Sequence, residues 1–523
     1  MSSDEDEFSQ IRGALGSIGV SALIVLGGSV LSQAMGFGTR IVMTRFLPVD
    51  GYGDIVLGIT VLNLLGVVSI IGLGQAQTRY LPQAESKQER NRIAATIYQI
   101  GIGLSLVWAL MGFFGAEFIA GTIFDSPSMM NVVRIFALSL PFYVLYKLSL
   151  NGIQGYKKTT PNILTRNLVF PLARFATVAA LALAGFGTLG LAIGYNLAFV
   201  IGGLAAFLLF IRIGGHRIRS LLTPSSGTRY RELLGFSIPL AVSASFGLVT
   251  KNSDRFLLGV FDTSSAVGVY DVALLVSQFI LFFGPVLNYL FQPIMAEYDA
   301  EDDYQRMDQL YTIITRWLVI LTFPIFALFV LFPETILGTF FGSEYQAGGT
   351  VLTFLVIGFY AARFVGLSGS FLTATGDTKV LMYVSAVTAT LNLGLNVALI
   401  PIFGIVGAAI ATASSILLKN LLQTVYIYSS TGIHPFTREL LIPTILIMTC
   451  TAVVAVIVSG IGLSFSEGFI VSITLCGVYL LWILITRSVY IVELKLADRV
   501  LELAGIHLNL EENLEMITVD RNS

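Results

Sequence analysis

Charge is what this sequence has least of. Only 12% of its 523 residues are Asp, Glu, Lys or Arg, while 55% are apolar. Soluble chains carry about 25% charged residues, and a 56.5 kDa protein has a large surface to cover with them. A water-soluble enzyme, a disordered chain and a nucleic-acid binder are therefore excluded together. Histidine is scarce too. His216, His434 and His507 fall in loops or the tail and form no His-x-x-x-His pair, so no metal site is expected. No glycine loop is followed by Lys and Ser or Thr, so no nucleotide cofactor and no ATP-driven step are expected. Cys450 and Cys476 lie in apolar stretches and read as buried thiols rather than a disulfide. The acidic start SSDEDEF lacks the positive region of a secretory signal, and the first span is expected to be retained.

What the sequence has instead is apolar runs long enough to cross a bilayer, which takes about 17–25 residues. They lie near 16–36, 54–74, 93–114, 132–150, 162–183, 188–211, 233–250, 266–290, 313–333, 349–370, 380–400, 404–426, 440–462 and 468–487. Helices are the default in lipid, because the backbone must satisfy its own hydrogen bonds there. The alternating ten-residue segments of a barrel are absent. Pro141, Pro171, Pro239, Pro285 and Pro324 fall within spans, and each is expected to mark a kink.

Lys and Arg set the orientation. The loop after span two holds Arg79, Lys87, Arg90 and Arg92. The loop after span six holds Arg212, Arg217, Arg219, Arg229 and Arg231, and later even loops continue the bias. The odd loops carry only Arg40, Arg45, Lys251 and Arg255. Both termini are thus expected in the cytoplasm of a multi-pass cell-membrane protein. The acidic stretch at 297–308 does not reverse this, since the rule counts basic residues. It reads as a solvated loop.

The chain also resembles itself at a distance of roughly 217 residues. VDGYGDIVLGITVL at 49–62 matches SAVGVYDVALLVSQF at 265–279, with Asp54 opposite Asp271. Gln75 stands opposite Gln292, and GFGTLGLAIG at 185–194 matches IFGIVGAAIA at 402–411. Six spans per repeat preserve orientation, which gives parallel repeats related by an axis along the membrane normal. The expected fold is an all-α polytopic membrane protein of about 14 transmembrane helices. Two parallel six-helix lobes surround a central cavity, with two further C-terminal helices. The expected order is an acidic cytoplasmic tail over 1–12, the N-terminal lobe over 13–215, a cytoplasmic linker over 216–232, the C-terminal lobe over 233–427, a two-helix unit over 428–490 and a cytoplasmic tail over 491–523. Repeats of this geometry point to alternating access.

Ionisable groups inside spans face the protein interior or water. Here they are lopsided. Arg40, Arg45, Lys147, Arg166, Arg174, Lys251, Arg255, Arg316, Arg363 and Lys419 are basic, whereas Asp54, Asp254 and Asp271 lie near span ends. Arg40 and Arg45 follow span one, and Arg255 follows span seven, its counterpart in the repeat. A cavity lined by arginine attracts anions and makes bidentate contacts to phosphate. Arg40, Arg45, Arg255, Arg363 and Arg174 are therefore the candidate substrate-binding residues. The alternatives are anchoring to lipid phosphates and, for Arg255, pairing with Asp254. Side-chain amides, among them Asn63, Asn196, Asn252, Asn288 and Gln292, suit either a sugar or plain helix association.

Together these features resemble a lipid-linked oligosaccharide flippase of the polysaccharide biosynthesis family. That family belongs to the superfamily that also holds multidrug and toxin extruders and lipid II flippases. The resemblance is carried by LSQAMGFGTRIVMTRFLPVDGYGDIVLGITV and by GSFLTATGDTKVLMYVSAVTATLNLGLNVALIPIFGIVGAAIAT. It implies flipping of an isoprenoid phosphate- or pyrophosphate-linked glycan to the outer leaflet, for surface polysaccharide or glycoprotein synthesis. The implied partners are that anionic glycan lipid and the membrane lipids, with no nucleic acid. It also implies a cationic cavity, which maps onto Arg40, Arg45, Arg255 and Arg363. A Na+ or proton coupling ion near Asp54 or Asp254 is left open by the spacing. The rival of the same superfamily is a cation-coupled drug extruder, whose first span carries a carboxylate. Residues 13–39 contain no Asp or Glu. The rival of another class is a membrane-embedded glycan polymerase or ligase, an enzyme, and the odd loops are short for one. Arg outnumbers Lys, and tails and the 297–308 loop are acidic, which suits a salt-adapted archaeal source.

Overall fold

The structure is a computed structural model. It describes residues 27–222, 230–458, 465–486, 488–490 and 518–519. The expected N-terminal tail, the start of span one, part of the linker and most of the C-terminal tail lie outside the described residues.

The protein is an all-α polytopic membrane protein. Helix α1 covers residues 27–46. It is followed by α2 (Val49–Ile70), α3 (Leu73–Tyr80), α4 (Lys87–Phe114), α5 (Met130–Gly155), α6 (Phe170–Leu183), α7 (Thr188–Gly214) and α8 (Tyr230–Phe261). Then come α9 (Ser264–Ser277), α10 (Phe283–Ala300), α11 (Tyr304–Leu331), α12 (Gly349–Ala361), α13 (Thr378–Thr431), α14 (Arg438–Val458) and α15 (Phe465–Ile485). Among the described residues, 11 helices are long and apolar enough to cross a membrane. The 54-residue α13 is two helices run together, with a break at Gly404, where φ is 54° and ψ −132°. Two residues at Val489–Tyr490 pair in parallel with Thr518–Val519.

Helix ends differ from the apolar boundaries for a physical reason. Charge ends a hydropathic run but does not end a helix. α1 continues through Arg40 and Arg45 to residue 46, just before Pro48, which disfavours helix in the residue preceding it. α8 likewise continues through Lys251, Asp254 and Arg255, so these residues lie within their helices rather than after them. Span two starts at Val49, breaks in left-handed backbone at Ile71 and Gly72, and resumes as α3. Pro141 and Pro324 are contained in helix. Pro171 instead follows a π-helical turn, Thr165–Val169, and Pro285 follows a 3-10 turn, Gln278–Leu281.

The internal repeat is visible in helix boundaries. α4 and α11 start and end 217 residues apart. Each is capped by a residue at the same offset. Ser86 Oγ accepts from the Glu89 amide at 3.1 Å, and Asp303 accepts from the Arg306 amide at 3.0 Å. Glu89 returns the favour by accepting from the Glu85 amide, so the first of these is close to a capping box. α7 ends at Gly214 and α13 at Thr431, again 217 residues apart.

The chain divides into two compact units, one through Asp271 and one from Val272. In the first, α5 packs on α4, α7 and α2, α6 packs on α7, and α8 packs on α2 and α3. In the second, α11 packs on α10, α12 and α15, and α12 packs on α13. Lipid offers no hydrophobic drive for helix association, so close packing of small residues supplies it. Gly58 lies against Phe136, Gly66 against Tyr143 and Gly203 against the Phe142 carbonyl. Phe291, Met295, Met307, Tyr311, Leu318 and Phe371 form a core in the second unit. The outward faces stay apolar, as lipid requires: Leu106, Leu110 and Phe114 on α4, Leu197, Ile201 and Leu208 on α7, Val453 and Val456 on α14.

Candidate functional site

Asp271, on α9, gathers two of the predicted arginines. Arg255 Nε donates to Oδ1 at 2.7 Å, and Arg40 Nε donates to Oδ2 at 3.2 Å. The Tyr52 hydroxyl on α2 also donates to Oδ2, at 2.6 Å. Four helices therefore meet on one buried carboxylate. The group borders a cavity of about 110 Å³ lined also by Thr60, Asn63 and Asn252. Two positive side chains and one negative line it, which leaves a surplus of one positive charge.

Both arginines spend Nε on Asp271. Arg255 Nη1 further donates to the Lys251 carbonyl at 3.1 Å. The partner of Arg255 is thus Asp271 rather than its neighbour Asp254, whose Oδ2 accepts from the Tyr270 hydroxyl at 2.6 Å. Adjacent positions on a helix point about 100° apart and do not face each other, whereas Asp271 comes from the facing helix. Desolvation explains the arrangement as a whole. Two guanidinium groups side by side in low dielectric are strongly unfavourable, and a shared carboxylate offsets this.

The other candidates are placed separately. Arg45 is exposed near the end of α1 and is not among the residues lining the cavity. Arg174 stacks over Phe170 and Tyr195, with its guanidinium carbon 5.6 and 5.4 Å from the ring centroids. Its Nη1 donates to the Tyr195 hydroxyl at 3.4 Å, while its buried Nε has no hydrogen-bond partner. Arg363 belongs to the second unit. It is not in mid-helix. It sits in a 3-10 turn, Ala362–Val365, that ends α12 before Gly366, where φ is 62°. A Cβ at Gly284 would lie 3.2 Å from Arg363 Nη1, so Arg363 reaches the start of α10, beside the other 3-10 interruption. Its Nε is buried without a hydrogen-bond partner. Non-helical backbone at membrane depth occurs where protein buries it or where it lines a cavity, and the Tyr311 hydroxyl donates to the buried Val365 carbonyl at 2.6 Å.

Several remaining polar groups are structural. Lys147 lies 5.5 Å from the Tyr143 ring centroid. Arg316 is buried and donates to the Ser488 carbonyl. Asn196 accepts from Ser139 at 2.5 Å, and Asn396 donates to Asn392. Asp54 accepts from three serines, Ser264 at 2.6 Å, Ser128 at 3.1 Å and Ser126 at 3.4 Å. On the loop after α7, His216 bonds Tyr156 and Asn91 and stacks on Phe210. Burial, with Arg90 and Lys87 nearby, pulls its imidazole down to about 4. No group of His, Cys, Asp or Glu among the described residues could hold a metal ion.

The residues that sequence reasoning missed are Tyr52 and the bridging role of Asp271. A signal was present, since the repeat had already matched Asp271 with Asp54. Placing both at span ends hid their depth.

The profile of the polysaccharide biosynthesis protein family matches residues 42–348. The chain belongs to that family. It is 28% identical over 230 residues to the probable low-salt glycan biosynthesis flippase Agl15 of Haloferax volcanii. That alignment covers 44% of this chain and 49% of the relative, about half its length. An uncharacterized membrane protein of Methanocaldococcus jannaschii is 21% identical over 494 residues, covering 89% of this chain and 94% of the relative. Both relatives are archaeal. Among solved structures, the lipid II flippase MurJ in an inward closed conformation matches with a TM-score of 0.66 and 13% identity. It covers 89% of this chain and 99% of MurJ. An inward-facing multidrug resistance MATE family transporter of the MOP superfamily matches with a TM-score of 0.62 and 12% identity, covering 79% and 98%. The chain thus shares the fold of these two solved structures. The relatives whose names state a role are transporters rather than enzymes.

Proposed function

We propose that this protein flips an isoprenoid phosphate- or pyrophosphate-linked oligosaccharide from the cytoplasmic to the outer leaflet by alternating access. In this reading the chain spans the membrane fourteen times, as two parallel six-helix lobes and two extra helices, with both termini cytoplasmic. The observation that carries it is the pair of arginines held by Asp271 at a cavity with a surplus positive charge. The printed role of the Haloferax relative, glycan biosynthesis flippase, supports the same substrate class.

The geometry suits a carrier. An empty carrier must return across the membrane with its site unfilled. Two bare guanidinium groups would make that return unfavourable by several kcal/mol. Asp271 neutralises one of them during the return. An arriving pyrophosphate diester carries two charges, a phosphodiester one, and both present phosphoryl oxygens that compete with the carboxylate for the same donors. Tyr52 supplies a hydroxyl that holds Asp271 as the arginines turn to the substrate. Asn63 and Asn252, at the same cavity, offer amides to the first sugar. Arg363 adds a second cationic position in the other unit, and Arg45 and Arg174 contribute nearer the ends of their own helices.

The test is reconstitution of the purified protein in vesicles with a labelled isoprenoid pyrophosphate-linked oligosaccharide. Protein-dependent appearance of the label on the opposite leaflet is expected. Its absence for phosphate-linked and pyrophosphate-linked lipids alike, alongside transport of an organic cation, moves the chain to the drug-extruder class.

A further inference from the structure

The second unit contains a groove of about 480 Å³ between α10 and the short helix Ser368–Ala374. Asn288, Tyr289, Gln292, Pro293, Thr373 and Ala374 line it. None of its lining residues is ionisable at neutral pH, so it does not select an ion. The Tyr289 ring is 53% exposed. Asn288 Oδ1 is shielded from solvent yet has no hydrogen-bond partner in the structure. Pro293 has no N–H, so the helical bond to the Tyr289 carbonyl is not made. Thr373 donates to the Gly369 carbonyl at 2.8 Å, which leaves its oxygen able to accept. An open aromatic face beside amide groups and unmatched acceptors fits a ring with an apolar C–H face and hydroxyl edges. The volume falls in the range of small-molecule sites, about 300–1,000 Å³.

The repeat sharpens the point. At the 217-residue offset, Tyr289 corresponds to Gly72 and Phe291 to Gly74. In the first unit these positions are closed. A Cβ on Gly74 would meet Asn151 Nδ2 at 2.5 Å, and one on Gly152 would meet Gln77 Nε2 at 2.5 Å. In the second unit the corresponding helices still pack through Phe291 and Phe371, and the groove opens beside that contact.

We propose that this groove is a saccharide subsite, which stacks a pyranose ring on Tyr289 and bonds its hydroxyls through Asn288, Gln292 and Thr373. The proposal rests on the transport reading above and names where the sugar, as distinct from the phosphate, is recognised. The experiment measures binding of two probes to the full chain in detergent: a polyprenyl phosphate, and the same lipid carrying a short oligosaccharide on its phosphate. The wild type should prefer the glycosylated probe. Tyr289→Ala should weaken that probe about fivefold, a stacking-sized loss of roughly 1 kcal/mol, and leave the bare lipid phosphate unchanged. Tyr289→Phe should retain the preference. Equal loss for both probes, no loss for either, or a wild type without preference overturns the groove and leaves the transport reading standing. A wild type that binds neither probe overturns the transport reading and the groove with it.

Discussion

Asp54 on α2 accepts from three serine hydroxyls, whereas Asp271, its counterpart in the repeat, accepts from two guanidinium groups and a phenol. The two helices approach closely at glycines: Gly53 lies against the Ser264 carbonyl, and Gly268 lies against that of Val49. The acid recurs at the same offset, and its neighbours differ. A similar divergence separates the helices further along. α5 runs unbroken from Met130 to Gly155, but its counterpart ends in the 3-10 turn that carries Arg363. In the first unit Arg40 and Arg255 sit on intact helices and share one carboxylate. In the second, Arg363 is presented from broken backbone.

The most severe way to break this contrast is Asp271→Ala. It leaves Arg40 and Arg255 buried together, and loss of one partner of a buried ion pair costs about 3–5 kcal/mol. Thermal unfolding in detergent should fall sharply, while Asp54→Asn, which keeps hydrogen-bonding capacity among hydroxyls, should fall much less. Equal losses would mean that the two acids do the same job. Next in size is Gly53→Ala. Its Cβ would sit 1.7 Å from the Ser264 carbonyl oxygen, and backbone cannot yield as a side-chain end does, so about 3 kcal/mol should be lost. Gly394→Ala, in the second unit with nothing within 4 Å, should leave the melting temperature unchanged or raise it.

Arg363→Ala probes the broken helices. It should lower flipping about tenfold, the loss of one charge-assisted contact of roughly 1.4 kcal/mol, with expression intact. Unchanged flipping would reduce Arg363 to a packing residue. The smallest effect is at His216. Its folded form takes up a proton only near pH 4, against an ordinary 6.5. The unfolded chain therefore binds that proton first as pH falls. Its contribution to stability is complete above about pH 6.5 and is lost as pH drops toward 4. The difference in melting temperature between pH 7 and pH 4.5 should shrink in His216→Asn.

Much of this was legible in the sequence. Low charge and long apolar runs gave the membrane class, and the matched words at 49–62 and 265–279 gave the repeat. Arg40 and Arg255 were legible as a pair because they recur at equivalent places. Their shared acid was not, because a hydropathy boundary marks where charge begins and says nothing of where a helix stops. α1 and α8 run past those boundaries and carry the arginines inward, to where α9 presents Asp271. The break at Arg363 was hidden for a related reason. VIGFYAARFVGLSGSF holds no charged residue apart from the arginine, and of its residues Gly366 is the one that marks where the helix ends. The groove at Tyr289 depends on what α10 does not touch, which no local pattern records.

In the proposed transport cycle the arginine–aspartate group of the first unit captures the phosphate. Arg255→Gln tests that capture most directly, because Arg40 still balances Asp271 while the surplus positive charge disappears. Transbilayer movement of an isoprenoid pyrophosphate-linked oligosaccharide should be measured in vesicles with equal amounts of folded wild type and variant. Movement by the wild type is expected, with a fall of about tenfold or more in Arg255→Gln, partly restored in Arg255→Lys. Equal rates for wild type and Arg255→Gln would contradict it.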